Sequence, residues 1–162
     1  MKDAIETAIK METDAIAFYG EAARKTSHPF GREMFKGFIK DETRHLKMLQ
    51  DMFKGVDFDV ESIRPKDTIK TVFSMLKDEM MQRVKAMENE MEAVNIALKF
   101  EKEGFDFYKE SAVRAESTKE KELFEKLSVE ENDHFNILME TQKFLENTGQ
   151  WYMYEERGIV EG

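Results

Sequence analysis

The sequence predicts an all-α protein, a four-helix bundle with one long crossover between its second and third helices. Three observations lead to this fold class. Apolar residues recur at intervals of three and four residues in four long segments, which is the period of an amphipathic helix. The 162 residues include only two prolines and eight glycines, and 36% of them are charged. Two pairs of helical segments with short links are separated by one long, aperiodic connection.

The first two predicted helices cover about residues 3–26 and 30–54. Between them, His28 is expected to start the second helix and to have no other role. Pro29 suits the first helical turn, where its missing N–H has no intrahelical partner. Gly55 follows the last periodic residue of the second helix, a common position for a helix stop.

The second half of the chain begins with a crossover over about residues 55–88, which contains a predicted short helix at about 67–84. A third long helix covers about residues 89–115. The fourth helix begins after Ser117, because the spacing from Ser117 to Glu120 is that of a capping box. Short links make antiparallel neighbours, and one long link carries the chain back along the bundle. The predicted connectivity is therefore ferritin-like.

The domain organisation follows from these elements. Residues 1–149 are expected to form the bundle, and residues 150–162 form an aromatic C-terminal tail that is expected to dock on the bundle or on a partner chain.

The two helix pairs form an internal repeat. A shift of 89 residues places about residues 3–54 on about 92–143 without a gap. The shift pairs identical residues at several unusual positions: Glu12 with Glu101, Tyr19 with Tyr108, Glu42 with Glu131, and His45 with His134. Two helical hairpins related by a pseudo-twofold axis are implied.

Six ionisable residues interrupt the apolar faces of the helices, and the repeat preserves each of them. Glu and His at positions i and i+3 project to one side of a helix. The six residues are Glu12, Glu42, His45, Glu101, Glu131 and His134. One Glu from each of two helices, with Glu-x-x-His from each of the other two, is the ligand set of di-iron carboxylate bundles.

Charge supports a metal centre at these residues. The four carboxylates together balance two divalent cations, and a mixture of carboxylate and imidazole suits iron or manganese. Without cations, inward carboxylates would repel one another and lose several kcal/mol each in desolvation. A single Glu-x-x-His is more often a surface pair or a core histidine, but two symmetry-related copies with matched glutamates favour metal binding. We expect two iron ions per chain, with manganese or a mixed pair as the alternative.

Two tyrosines and one glycine accompany this pattern. Tyr19 and Tyr108 lie two turns beyond the first-helix and third-helix glutamates, on the same faces. They are interpreted either as core tyrosines or as donors to a carboxylate that bridges the metals. Gly104 and its repeat partner Ala15 are both small. One explanation is that small residues allow helices one and three to approach closely. The other is that they leave space beside the metals for dioxygen or peroxide.

Composition excludes several classes of function. The net charge of −9 argues against nucleic acid and anionic membrane as partners. The absence of cysteine excludes thiolate metal sites and a cysteine nucleophile. The acidic start lacks the apolar run of a signal peptide, and no stretch is long enough to cross a membrane. A cytoplasmic location is expected.

Over about residues 3–147, the chain resembles the rubrerythrin branch of the ferritin-like superfamily. The resemblance implies terminal carboxylates at Glu12 and Glu101, bridging carboxylates at Glu42 and Glu131, and histidine ligands at His45 and His134. It also implies that Tyr19 and Tyr108 lie close to the metal centre.

Two features depart from the familiar members of that branch. Those members carry a rubredoxin domain, whereas this sequence has no cysteine for one, so the electron donor is expected to be a separate protein. They also carry an extra glutamate one turn after the third-helix ligand, which takes part in redox-dependent ligand exchange. This chain has Gly104 at that position.

The expected function is a redox enzyme that reduces hydrogen peroxide or dioxygen with electrons from an external donor, acting as a homodimer. Ferroxidase activity for iron handling is one alternative, and a non-enzymatic, metal-stabilised binding module is another. An oxygenase acting on an organic substrate would need an apolar pocket beside the metals.

Overall fold

The computed structural model describes residues 2–55 and 90–148, which form a four-helix bundle. The helices are α1 (Lys2–Lys25), α2 (Pro29–Lys54), α3 (Glu90–Arg114) and α4 (Thr118–Thr148). No strand occurs in these two ranges, so the all-α prediction is confirmed. The predicted crossover with its short helix, and the aromatic tail over 150–162, lie outside the described residues.

The turn between α1 and α2 is fixed by a side-chain cap. His28 has an extended backbone, and its Nδ1 accepts a hydrogen bond from the N–H of Phe30 at 3.1 Å. Pro29 is the first residue of α2, as its fixed φ angle allows. At the other end of α2, Gly55 keeps right-handed helical angles, with φ of −71°. The helix therefore ends there without a left-handed glycine.

The start of α4 is capped by the predicted Ser-x-x-Glu pair, with one difference. Ser117 Oγ accepts a hydrogen bond from the N–H of Glu120 at 3.2 Å. The Glu120 carboxylate reaches back to the N–H of Glu116 at 3.3 Å, one residue before the expected donor. Two N–H groups at the helix start thus have side-chain acceptors.

The packing order of the helices follows from their contacts. α1 packs on α2 and α3 packs on α4, while α1 also lies beside α3 and α2 beside α4. The Glu90 carboxylate, at the start of α3, accepts hydrogen bonds from the N–H and hydroxyl of Ser27 at 2.7 and 2.9 Å. Ser27 belongs to the turn between α1 and α2. α3 therefore begins at the end of the bundle opposite to the end of α2.

The hydrophobic core consists of two clusters, one towards each end of the bundle. The larger cluster surrounds Phe18, Phe35 and Phe100. The smaller cluster surrounds Phe53 and Phe124. On all four helices, the polar residues singled out from the sequence fall between the two clusters. A polar layer therefore divides an otherwise apolar core.

In the described residues, no helix has an apolar segment long enough to cross a membrane.

Candidate metal centre

All six polar residues predicted as ligands lie in this central layer. Each helix contributes at least one, and each residue is at most 5% exposed: Glu12, Glu42, His45, Glu101, Glu131 and His134. Burying so many ionisable groups is unfavourable unless they are paired with opposite charge or bound to a cation. Their concentration in one layer therefore marks a functional site more than a structural one.

The six residues form two overlapping groups, each able to hold a metal ion. In each group, one atom from every residue lies within 4.8 Å of the others. The first group contains Glu12 and His45, and the second contains Glu101 and His134. Glu42 and Glu131 belong to both groups. This is the arrangement in which two carboxylates would face two cations at once.

The hydrogen bonding of these atoms tests whether a cation fits. Four buried atoms of the layer have no hydrogen-bond partner: Glu42 Oε1, Glu101 Oε2, Glu131 Oε1 and His134 Nδ1. Buried polar atoms without partners are rare in folded proteins and need an explanation. Each of the four is an atom type that ligates iron or manganese. The residues therefore fit a metal centre.

Both histidine rings point the same nitrogen at the carboxylates. His45 Nδ1 is 3.0 Å from Glu42 Oε2 and 3.2 Å from Glu131 Oε1. His134 Nδ1 is 3.1 Å from Glu42 Oε1 and 3.5 Å from Glu101 Oε2. The Nδ1 atoms are thus the ring nitrogens available to a cation in this layer.

The opposite nitrogen of each ring contacts an acid that the sequence analysis did not single out. His45 Nε2 is 2.6 Å from Glu130 Oε2, and His134 Nε2 is 2.8 Å from Asp41 Oδ2. A signal was present, because both positions are acidic, match under the 89-residue shift and directly precede a glutamate of the centre. On a charged helix surface, such residues look like solvated groups.

The two tyrosines are hydrogen-bonded, but to other carboxylates than expected. Tyr19 donates to Glu101 and Tyr108 donates to Glu12. The expected acceptors were the bridging carboxylates, whereas these two glutamates each belong to one group only. Burial raises the pKa of both tyrosines, and the charges of the nearby glutamates add to this effect. Both hydroxyls therefore stay protonated and act as donors.

The pKa values of three carboxylates of the layer, Glu12, Glu42 and Glu131, do not shift in the same direction. Burial raises the pKa of Glu12 and of Glu131 well above 4.5, and the charge of Glu42 acts in the same direction. Burial also acts to raise the pKa of Glu42. Contacts with Glu12 and with both histidines outweigh that effect, so the pKa of Glu42 is lowered. The pKa values of the two shared carboxylates are therefore shifted in opposite directions.

The histidines respond to the same charges. Burial acts to lower the pKa of His45, but the nearby carboxylates of Glu12, Glu131 and Glu42 raise it well above 6.5. For His134, the nearby carboxylates of Glu101 and Glu42 outweigh burial and raise the pKa to about 11. In the metal-free layer, the nearby carboxylates thus favour the protonated form of both imidazoles.

Gly104 lies against the shared glutamate of α4. The three atoms nearest to a Cβ built at Gly104 all belong to Glu131, with Oε2 at 3.3 Å. The expected close neighbour was α1, so the nearest contact differs from that interpretation. Any side chain at this position would press on a carboxylate of the centre, which explains why glycine is accommodated there despite its cost in a helix.

A small cavity lies within the layer. Residues of α1, α2, α3 and α4 line it: Met11, Glu12, Ala15, Glu42, Phe100, Glu101, Gly104, Tyr108 and Glu131. The centre of a water-sized molecule has about 10 Å³ in this cavity. That space suits one molecule of the size of water. Ala15 and Gly104 therefore line the same space as the four glutamates, and whether room for dioxygen or peroxide accompanies bound metals stays a prediction.

Comparison with known proteins gives one match. The family model described as Rubrerythrin matches residues 3–147. Searches of curated proteins and of solved structures gave no match.

Proposed function

The chain belongs to the rubrerythrin family, and we propose that it is a di-iron protein that reduces hydrogen peroxide or dioxygen with electrons from a separate donor. One observation carries this proposal: two buried Glu/His groups share Glu42 and Glu131. Four carboxylates facing two histidine nitrogens match the charge and the ligand preference of two ferrous ions.

The proposed ligands divide between the two groups. Glu12 and His45 would serve one iron position, and Glu101 and His134 the other, with Glu42 and Glu131 common to both. When bound, the two ferrous ions supply two electrons and Lewis acidity to a small oxidant. Reduction of one hydrogen peroxide consumes two electrons and two protons and gives two waters.

The protein's own groups orient the ligands and keep hydroxyl protons beside the centre. Tyr19 and Tyr108 fix one oxygen of Glu101 and of Glu12, so that the other oxygen can face a cation. The raised pKa of each tyrosine keeps the hydroxyl proton beside the centre at neutral pH. Hydrogen bonds therefore orient the two unshared carboxylates.

The size of the cavity favours a small oxidant. The cavity within the layer takes a molecule of about the size of water, and Met11, Ala15 and Phe100 give it an apolar wall. An organic substrate would need a much larger pocket, since such pockets measure about 300–1,000 Å³. Among the described residues, the absence of such a pocket at the centre favours a small oxidant, such as peroxide or dioxygen, over an organic substrate.

Electrons are proposed to come from another protein. The 162 residues contain no cysteine, so this sequence offers no thiolate ligands for a second iron centre of the rubredoxin type. We also propose a homodimer as the functional assembly. Size-exclusion chromatography with light scattering would test this, because an iron-storage protein would form a large hollow cage.

Anaerobic stopped-flow spectroscopy tests the reaction. Protein loaded with two ferrous ions per chain is mixed with equal concentrations of hydrogen peroxide or dioxygen, and iron oxidation is followed optically. We expect faster oxidation by peroxide, with one peroxide consumed per two ferrous ions. Equal or reversed rates would contradict peroxide as the oxidant. Oxidation that continues far beyond two ferrous ions per chain would support iron handling.

A further inference from the structure

Each histidine of the metal centre is held from outside by an acid on the opposite hairpin. His45 lies on α2, and its Nε2 is 2.6 Å from Glu130 of α4. His134 lies on α4, and its Nε2 is 2.8 Å from Asp41 of α2. In both rings, the other nitrogen faces the shared carboxylates.

The two contacts are copies of each other. Under the 89-residue shift, Asp41 falls on Glu130 and His45 falls on His134. Each acid directly precedes a shared glutamate and reaches across the α2–α4 interface to the histidine of the other repeat. A chance surface pairing would not be expected to occur twice at matching positions.

We propose that Asp41 and Glu130 are positioning residues of the metal centre, each accepting the Nε2–H of the histidine on the opposite hairpin. This inference rests on the proposed function. A carboxylate that accepts the Nε2–H keeps that nitrogen protonated and makes Nδ1 the ligand atom. It also fixes the plane of the ring and increases the basicity of Nδ1.

Arg44 makes the two acids unequal. Its guanidinium donates to both oxygens of Glu130, at 3.0 Å to Oε1, and lies 3.4 Å from Asp41. The Glu130 side chain is 21% exposed, whereas that of Asp41 is 42% exposed. Glu130 is therefore the better fixed and less solvated acceptor. Its loss should weaken the iron position at His45 more than the loss of Asp41 weakens the position at His134.

The test compares matched variants of the full chain. Asp41→Asn and Glu130→Gln keep an acceptor oxygen but remove the charge, and Asp41→Ala and Glu130→Ala remove both. Asp133→Asn is the control, because Asp133 is exposed, adjoins His134 in sequence and undergoes the same charge change. Circular dichroism and thermal unfolding verify that each variant folds.

Two measurements are made on each variant. Anaerobic competition with a chelator gives the affinity for each of two ferrous ions. NMR of protein labelled with ¹⁵N-histidine, recorded without metal, reports the Nε2–H signals of His45 and His134. A short hydrogen bond to carboxylate shifts such a signal downfield and slows its exchange with water.

The expected result is specific to position. Glu130→Gln should lower the affinity for one of the two ferrous ions by about 10–100-fold. Asp41→Asn should lower the affinity for one ferrous ion by less. Glu130→Ala should move only the His45 signal and Asp41→Ala only the His134 signal. The control should match the wild type in both measurements.

Two failures can be told apart. Wild-type affinities and unmoved Nε2–H signals in the Asp41 and Glu130 variants would overturn the positioning role and leave the proposed function intact. A folded wild type that binds no ferrous iron would refute the proposed function and the role of both acids towards metal.

Discussion

The hydroxyl of Tyr19 donates a hydrogen bond to Glu101, a residue 82 positions further along the chain. The matching contact of the other repeat runs from α3 to α1, where Tyr108 donates to Glu12. Because each tyrosine reaches the glutamate of the other repeat, α1 and α3 run antiparallel at the centre. Each hairpin therefore holds a ligand of the other.

Tyr19→Phe should destabilise the metal-free protein by about 1–3 kcal/mol, the usual effect of removing the partner of a buried polar group. Tyr108→Phe should lower the free energy of unfolding by a similar amount, because its contact is the mirror image. Urea denaturation of both variants and the wild type measures this. A change below about 0.5 kcal/mol in both would show that packing alone accounts for these tyrosines.

The stability of the metal-free protein should fall as the pH rises from about 5 to 9. The pKa values of Glu12 and Glu131 are raised above 4.5, and those of His45 and His134 are raised above 6.5, to about 11 for His134. Over this range the native state binds more protons than the unfolded state, so the free energy of unfolding decreases with pH.

Thermal unfolding at several pH values, in the presence of a chelator, measures this dependence. Loading with ferrous iron before unfolding provides the comparison, because a metal that binds only the native state adds stability by mass action. If the stability of the metal-free protein stays constant or rises between pH 5 and 9, the raised pKa values of these glutamates and histidines are contradicted.

Iron binding near neutral pH should release protons. In the metal-free layer, the pKa values of Glu12, Glu131 and both histidines are all raised above their ordinary values. A cation at the same atoms displaces protons, since ligands must be deprotonated. We therefore expect a net release of protons when ferrous iron binds. Anaerobic titration with a pH indicator in weak buffer counts them, and no release would disprove the expectation.

Gly104→Ala should weaken metal binding while leaving the metal-free fold intact. The added Cβ would lie 3.3 Å from Glu131 Oε2, so this carboxylate must move. Gly37→Ala is the matched control, because Gly37 is an exposed helical glycine whose added Cβ would meet nothing within 4 Å. The control should gain up to about 1 kcal/mol in stability and keep its iron affinity.

Chelator competition and urea denaturation separate these effects. If Gly104→Ala and Gly37→Ala show the same iron affinity, the contact with Glu131 does not limit the metal centre.

The helices and the six candidate ligands were predictable because both depend on patterns within short stretches of sequence. Charged residues such as Glu12 and Glu42 interrupt apolar faces, and the 89-residue repeat shows that the interruptions are not accidental. Helix starts were equally local, since the cap at Ser117 depends on residues within one turn.

The contacts between helices were not predictable in the same way. Tyr19 donates its hydrogen bond to Glu101 and not to a shared glutamate. This choice of acceptor depends on the register between α1 and α3. Asp41 and Glu130 lie on charged helix surfaces, where periodicity cannot separate a solvated acid from one that reaches across to a histidine. The neighbour of Gly104 likewise depends on where α4 places Glu131.

The central claim is that the layer binds two irons through its shared carboxylates. Metal per chain, measured after anaerobic ferrous loading and desalting, tests it most directly in the wild type and in Glu42→Ala/Glu131→Ala. His28→Asn is the control, since His28 caps α2 outside the layer and asparagine is a good cap. The account predicts two irons per chain in wild type and control, and none in the folded double variant. A folded wild type that retains no iron, or a double variant that retains both, would contradict it.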